Sequence, residues 1–544
     1  MRTLIQNSIL VRLPAALARG YEHSRTGPLW MSFCEAKDPA ADSGYQRFLE
    51  RIQQLLWLLG GFLKNGMVGR ILDAFSQRVP AAVLNSASVS LIRRMPLHRW
   101  FLVLFALYLP LEYAFRDVLG LERIASVWEE LLIAAGILLI LWRTLRTKGR
   151  SFARGNMLEA SILLFMAVGL LLMMLNRPFP AVALAGYRAQ VQYMVWFFLV
   201  LRLLEDRKDA AALYTAFAMT VLLMSFHGIY QYIADVEIPA SWVSQTEMGV
   251  RTRVFSLTGS PNIFGSLIVM AAPMLAALMY YCKETKWKIA AFLSVGAACL
   301  CILFTFSRGA WVGLVVAVIL FSLYVDKRLL ALMTAAMAGI LVAVPSITSR
   351  LTYLFTTDYA EASAIGGRAL RWQVGRELLM ENSPWLGFGL GRFGGAVAMN
   401  NRLLDETETF RYFYMDNYYL KTLVEMGYLG LFFFLLVLAV FVITGLRAVY
   451  RSGAGYATLA GRDALVRNTG NPRVLSAGIL SGLCGVLTHC YFENIFEEPY
   501  MMAYFWGLAA LLVFWGFYAG PPKVITTEQG RAEDKSSERP EGAS

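Results

Sequence analysis

The stretch from Ile289 to Val325, IAAFLSVGAACLCILFTFSRGAWVGLVVAVILFSLYV, contains two apolar runs, 289–306 and 309–325, joined at Ser307 and Arg308. Runs of this length and polarity predict membrane-crossing helices, so Arg308 lies where a membrane hairpin turns. Charged groups at membrane depth are unfavourable and usually face a polar cavity or a substrate, which makes Arg308 a candidate functional residue. The alternative is an arginine whose side chain simply extends to the membrane surface.

The composition indicates a polytopic membrane protein. Of the 544 residues, 57% are hydrophobic and 16% are charged, and the mean hydropathy is +0.51, too apolar for one soluble core. Apolar stretches predict about twelve transmembrane helices in an all-α helical bundle. They lie near 100–115, 126–142, 157–175, 185–204, 211–234, 262–281, 289–306, 309–325, 329–346, 418–446, 474–493 and 500–518.

The basic residues between these stretches predict their orientation. Lysine and arginine accumulate in short cytoplasmic loops, and here clusters such as 143–154, 283–288 and 447–473 alternate along the chain. All of them lie on one side if both termini are cytoplasmic. The net charge of +12 is therefore explained mostly by topology. Because no basic stripe is interleaved with exposed aromatic residues, nucleic acid is not an expected partner.

One large extracytoplasmic loop is predicted, at about 347–415, with a helical stretch from Arg368 through Met380. The outer segments are rich in arginine and contain no lysine, although outer loops are normally poor in basic residues. Arginine presents a planar fork of donors suited to phosphate oxygens. These residues therefore predict an anion site, unless acidic loop neighbours pair with them. The arginines of interest are Arg251, Arg253, Arg308, Arg368, Arg371 and Arg376.

Cysteine and histidine offer little support for a metal centre. The large outer loop has no cysteine, so a disulfide there is unsupported, and four histidines leave little room for a histidine-based metal centre. No metal and no cofactor is predicted. His489 is predicted near the outer end of its helix, with Glu493 one turn beyond. The pair can form an acid/base couple, or His489 can be a buried, hydrogen-bonded side chain.

The two ends of the chain differ from the apolar region, 98–518. Residues 1–97 mix basic and apolar side chains without a secretory signal and predict amphipathic cytoplasmic helices near the bilayer. Residues 519–544 are polar and predict a disordered cytoplasmic tail.

An ordered series of motifs over roughly residues 185–515 resembles the O-antigen ligase and O-antigen polymerase superfamily of bacterial envelope glycosyltransferases. The motifs are Arg253-Val254-Phe255-Ser256 with Ser260-Pro261-Asn262, Thr305-Phe306-Ser307-Arg308-Gly309-Ala310, Gly367-Arg368 with Trp372, Pro384-Trp385-Leu386-Gly387-Phe388-Gly389, and Asp416-Asn417-Tyr418-Tyr419-Leu420 followed by Glu425-Met426-Gly427-Tyr428-Leu429-Gly430. Each motif alone is weak, and their common order is specific.

The resemblance implies a metal-independent glycosyltransferase of the cytoplasmic membrane. Its substrate would be an undecaprenyl-diphosphate-linked glycan at the outer face, with membrane lipid, a chain-length regulator and a flippase as further partners. Arg253 and Arg308, together with Arg251 and Arg368, would neutralise the charge that develops on the leaving diphosphate.

The sequence departs from the ligase branch at Asp416-Asn417, where lipopolysaccharide ligases carry His-Asn or His-Ser. Asp416 can accept a proton from the acceptor hydroxyl, or it can cap the tenth helix. This substitution favours a polymerase of surface polysaccharide repeats, with Asp416, Arg308 and His489 as catalytic residues. The alternatives are a ligase that transfers the glycan to a lipid or wall acceptor, and a secondary transporter, although no internal repeat supports the latter.

Overall fold

The computed structural model describes residues 26–65, 95–146, 152–175, 179–237, 252–343, 348, 352, 356–357, 368–401, 414–457 and 470–520. Within these ranges the regular elements are all helical. This agrees with the predicted all-α membrane class.

The helices are numbered in chain order. The first half of the chain contains α1 (Thr26–Glu35), α2 (Gly44–Asn65), α3 (Leu97–Ala106), α4 (Tyr108–Tyr113), α5 (Glu122–Ala125), α6 (Trp128–Arg146), α7 (Met157–Leu175), α8 (Pro180–Val191), α9 (Val195–Leu203) and α10 (Arg207–Ile233). The second half contains α11 (Pro261–Tyr281), α12 (Thr285–Phe304), α13 (Arg308–Tyr324), α14 (Arg328–Ala343), α15 (Arg368–Glu381), α16 (Ala396–Asn400), α17 (Tyr418–Ala457), α18 (Pro472–His489) and α19 (Pro499–Phe517).

Each predicted apolar stretch overlaps one or two of these helices. Within the described ranges, six helices are long and apolar enough to cross a membrane: α7, α10, α11, α12, α17 over Tyr418–Gly453, and α19. Shorter apolar helices cover Leu97–Ala106, Arg308–Tyr324 and Arg328–Gly339. The protein is therefore a multi-pass membrane protein, while the number of about twelve crossings and the cytoplasmic position of both termini stay predictions.

The core is centred on α18 and α19. α11 and α13 both pack along α18, and α19 packs against α9 and α17. Large aromatic side chains fill the space around α19, where Trp196 and Trp506 are fully buried. This packing brings the start of α11, the start of α13 and the end of α18 to the same end of the bundle, although they are far apart in sequence.

A break in α17 receives the segment that follows α15, within the loop that the sequence predicts to lie outside the membrane. Gly427 has φ 68° and ψ −173°, values outside the helical region. Four backbone hydrogen bonds join the loop to the helix there: Tyr428 N to Pro384 O at 2.8 Å, Leu429 N to Trp385 O at 3.3 Å, Phe388 N to Val424 O at 2.7 Å, and Gly389 N to Glu425 O at 3.1 Å. A Cβ at Gly427 would collide with the backbone carbonyl of Trp385. Glycine is thus required by both conformation and close approach.

The N-terminal helix α2 packs against the loop between α6 and α7. The Gln46 and Gln53 side chains of α2 hydrogen-bond to backbone groups of Ala153 and Gly155. The end of α1 meets the second half of α17, where Tyr450 Oη donates to Glu35 Oε1 at 3.2 Å.

Candidate active site

An open cleft with an empty volume of about 430 Å³ lies where α11, α13, α15 and α18 meet. Its walls are polar, and they bring together residues from four separate parts of the chain. The lining residues are Arg253, Asn262, Phe306, Ser307, Arg308, Gly309, Arg368, His489, Phe492 and Glu493.

Arg308 is the first residue of α13, as the hairpin predicted. α12 ends at Phe304, and residues 305–307 form the turn. Phe306 has φ 51°, a left-handed conformation that is unfavourable for a bulky side chain, and Ser307 N donates to Thr305 Oγ1 at 3.2 Å. This turn places Arg308 and the first backbone N–H groups of a helix at the cleft, an arrangement that favours anions.

Arg253 is fixed against the same turn. Its Nε donates to Thr305 O at 3.0 Å and its Nη2 donates to Asn262 Oδ1 at 3.1 Å. Asn262 lies in the first turn of α11, whose N-cap Ser260 accepts a hydrogen bond from Ile263 N. Both bonds hold the guanidinium in one orientation before any substrate arrives.

Arg368 begins α15 and contributes a third guanidinium to the cleft. Its Nε donates to Asp416 Oδ2 at 2.6 Å and its Nη2 donates to Phe492 O at 2.8 Å. The other carboxylate oxygen, Asp416 Oδ1, accepts from Trp372 Nε1 at 3.1 Å. Asp416 is 6% exposed, so it lies behind Arg368 and outside the set of lining residues. The cap of α17 is Asn417, whose Oδ1 accepts from Leu420 N at 3.0 Å, and this corrects the expectation that Asp416 forms that cap.

His489 is buried at the end of α18 and also lines the cleft. Its Nδ1 lies 2.5 Å from Ser266 Oγ. A Cβ at Gly309 would lie 2.8 Å from His489 Nε2, so the ring packs against the first turn of α13. His489 is therefore both a hydrogen-bonded buried side chain and a wall of the site.

Glu493 supplies a carboxylate to the cleft. Asn262 Nδ2 donates to its Oε2, and Asn494 N donates to its Oε1 at 3.3 Å. Burial raises the pKa of the Glu493 carboxyl, while the nearby charge of Arg368 acts in the opposite direction. The sequence indicates Glu493 only as a partner of His489 and not as a site residue of its own. Its spacing from His489 was the signal that pointed to it.

The remaining predicted arginines differ in position. Arg371 Nη1 donates to Tyr414 O at 3.2 Å, behind the cleft wall. Arg376 is exposed on α15, and neither residue lines the cleft. Arg251 lies outside the described residues. The roles of these three in substrate binding stay predictions.

Comparison with known proteins gives one family match. Residues 292–435 match the family described as O-antigen ligase, a range that includes Arg308, Arg368 and Asp416 and the loop that docks at Gly427. The match confirms the resemblance to the O-antigen ligase and polymerase superfamily. A search of curated proteins found no match.

Proposed function

We propose that this membrane protein, whose residues 292–435 match the family described as O-antigen ligase, transfers a glycan from a lipid diphosphate to an acceptor hydroxyl. In this proposal it is a polymerase of surface polysaccharide repeats. The observation that carries this proposal is the convergence of Arg253, Arg308 and Arg368 on one cleft that also contains Glu493. Three guanidinium groups suit a diphosphate, and the carboxylate suits a hydroxyl that must lose a proton.

In the proposed reaction, the acceptor oxygen attacks the anomeric carbon and forms the new glycosidic bond. The bond between that carbon and the diphosphate oxygen breaks, and the electron pair leaves with the lipid diphosphate. The arginines stabilise this developing negative charge. The acceptor proton passes to a carboxylate, for which Glu493 is the candidate that lines the cleft, with Asp416 behind Arg368 as the second.

A ligase is the second candidate, because the matched family is described as O-antigen ligase. Ligase and polymerase share the same donor and the same bond changes and differ in the acceptor. The arrangement of arginines serves both, so the acceptor must be found by analysing the products.

The test is Arg308→Ala in the producing cell, with Arg123→Ala as the matched control, since Arg123 is an exposed arginine of α5 that does not line the cleft. After the protein is confirmed in the membrane, the chain lengths of the surface glycan and its lipid-linked precursors are measured. Single repeats with accumulated precursor support the polymerase. Full-length chains left on the lipid carrier indicate a ligase, and unchanged glycan and precursor would overturn both and favour a transporter.

A further inference from the structure

A buried ion triad lies beside the cleft and takes no part in the proposed chemistry. Lys421 Nζ is 3.1 Å from Glu425 Oε2 and 3.1 Å from Glu497 Oε2. The three side chains are 4%, 1% and 8% exposed.

Donors from three chain segments satisfy both carboxylates of this triad. Besides Lys421, Glu425 Oε1 accepts from Phe393 N at 3.2 Å, and Glu497 Oε1 accepts from Ala396 N at 2.9 Å. Asn494 Nδ2 donates to Glu497 Oε2 at 3.4 Å. Every carboxylate oxygen therefore has a donor, which is the arrangement that ionised carboxylates need when buried.

The triad joins three elements of the fold. Lys421 and Glu425 belong to α17, Phe393 and Ala396 belong to the outer loop, and Glu497 lies in the turn 490–498 between α18 and α19. The same turn carries Glu493 and provides the carbonyl of Phe492 that accepts from Arg368. Any displacement of this turn would move a carboxylate and a guanidinium of the cleft together.

We propose that Lys421 is a positioning residue that, through Glu425 and Glu497, holds the outer loop and the Glu493 turn in the geometry required for glycan transfer. The inference rests on the proposed function. Misplacement of a reacting group by about 1 Å lowers a rate by on the order of 100-fold. We therefore expect Lys421→Met to lower the rate of glycan transfer by the same factor.

The charge exchange Lys421→Glu/Glu425→Lys separates positioning from simple stabilisation of α17. It preserves the i, i+4 ion pair within the helix but places a glutamate against Glu497 and an ammonium against Phe393 N–H. We therefore expect the charge-exchange variant to lose as much transfer activity as Lys421→Met. Glu497→Gln is the milder variant, since it keeps an oxygen for Ala396 N–H, and we expect a loss of about tenfold. Glu377→Gln, which changes an exposed glutamate of α15, is the control and should leave transfer unchanged.

Trypsin provides a readout that does not depend on transfer. The bond between Arg392 and Phe393 is held by the Glu425 contact, and Phe393 is fully buried, whereas Arg376 is exposed. On purified protein in detergent, the triad variants should be cut after Arg392 about tenfold faster, with cleavage after Arg376 unchanged.

Wild-type transfer or unchanged cleavage after Arg392 in the charge-exchange variant would overturn the inference. Arg308→Ala is measured in parallel. If it abolishes transfer while the triad variants behave as wild type, the inference alone fails. If Arg308→Ala leaves transfer intact, the proposed function fails, and the cleavage result still reports whether the triad holds the loop.

Discussion

Arg368 Nε donates a 2.6 Å hydrogen bond to Asp416 Oδ2, and this bond joins the start of α15 to the residue before the cap of α17. The second oxygen of the carboxylate is occupied by Trp372. A base must accept the proton of the acceptor hydroxyl within hydrogen-bond reach. Glu493 lines the cleft, whereas Asp416 lies behind Arg368 and does not. Asp416 is therefore better suited to orienting Arg368, and Glu493 is the better candidate for the base.

The first prediction separates these two roles for Asp416. Asp416→Asn keeps an oxygen for Trp372 and removes the charge that orients Arg368. If Asp416 orients Arg368, we expect transfer to fall about tenfold, mainly through weaker binding of the lipid-linked donor. Steady-state kinetics on membranes that contain the cell's own lipid-linked glycan measure both KM and kcat. Loss of a general base slows the chemical step by a factor on the order of a hundred to ten thousand. If kcat of Asp416→Asn falls by that factor while KM is unchanged, Asp416 is the base.

The second prediction concerns the pH dependence of Glu493. Burial raises the pKa of this carboxyl, so it takes up a proton at a higher pH than an ordinary glutamate. A base must be deprotonated, and transfer should therefore decline on the acid side at a pH above the usual carboxyl range. Glu493→Gln should slow turnover about a hundredfold or more and remove this acid limb. An unchanged limb in the residual activity of the variant would show that another group causes it.

The third prediction tests the break in α17. Gly427→Ala places a Cβ against the backbone carbonyl of Trp385 at φ 68°, and both the conformation and the contact are unfavourable for alanine. We expect a destabilisation of about 2 kcal/mol or more and release of the loop segment from α17. The matched control is Gly296→Ala in α12, where a Cβ meets nothing within 4 Å, and which should be neutral or slightly stabilising. Thermal unfolding in detergent compares the two variants, and equal stabilities would contradict this account of the break.

The sequence predicted the helices well because apolar periodicity and length determine them locally. The predicted hairpin at Ser307 and Arg308 and the helix from Arg368 coincide with the starts of α13 and α15. Residue type, motif order and position near predicted outer helix ends also pointed to Arg253, Arg308, Arg368 and His489, which all line the cleft, while their roles stay predictions.

What the sequence did not predict depends on contacts between distant segments. The left-handed conformations of Gly427, with φ 68°, and of Phe306, with φ 51°, depend on how the flanking helices pack. Gly427 terminates one helical segment of α17 and receives the loop that contains Pro384 and Trp385. The triad of Glu425 with Lys421 and Glu497 requires the fold of α17, the loop and the final turn together.

The fourth prediction concerns stability at Glu498, the residue before α19. Burial, followed by the negative charges of Glu497 and Glu112, raises the pKa of its carboxyl from 4.5 to about 7. Between these values the folded protein binds more protons than the unfolded chain, so its stability falls as the pH rises through this window. Above it, the ionised carboxylate destabilises the fold by up to about 3 kcal/mol.

Glu498→Gln removes the charge and should therefore raise thermal stability in detergent at about pH 8 while leaving it unchanged at about pH 5. Because other carboxyls also titrate, the quantity to compare is the difference between variant and wild type at each pH. Glu377→Gln, at an exposed position of α15, should show the same small difference in thermal stability from wild type at both pH values. If Glu498→Gln lowers stability at the higher pH, the ionised carboxylate has a favourable partner in the fold, and the repulsion from Glu497 and Glu112 does not determine its behaviour.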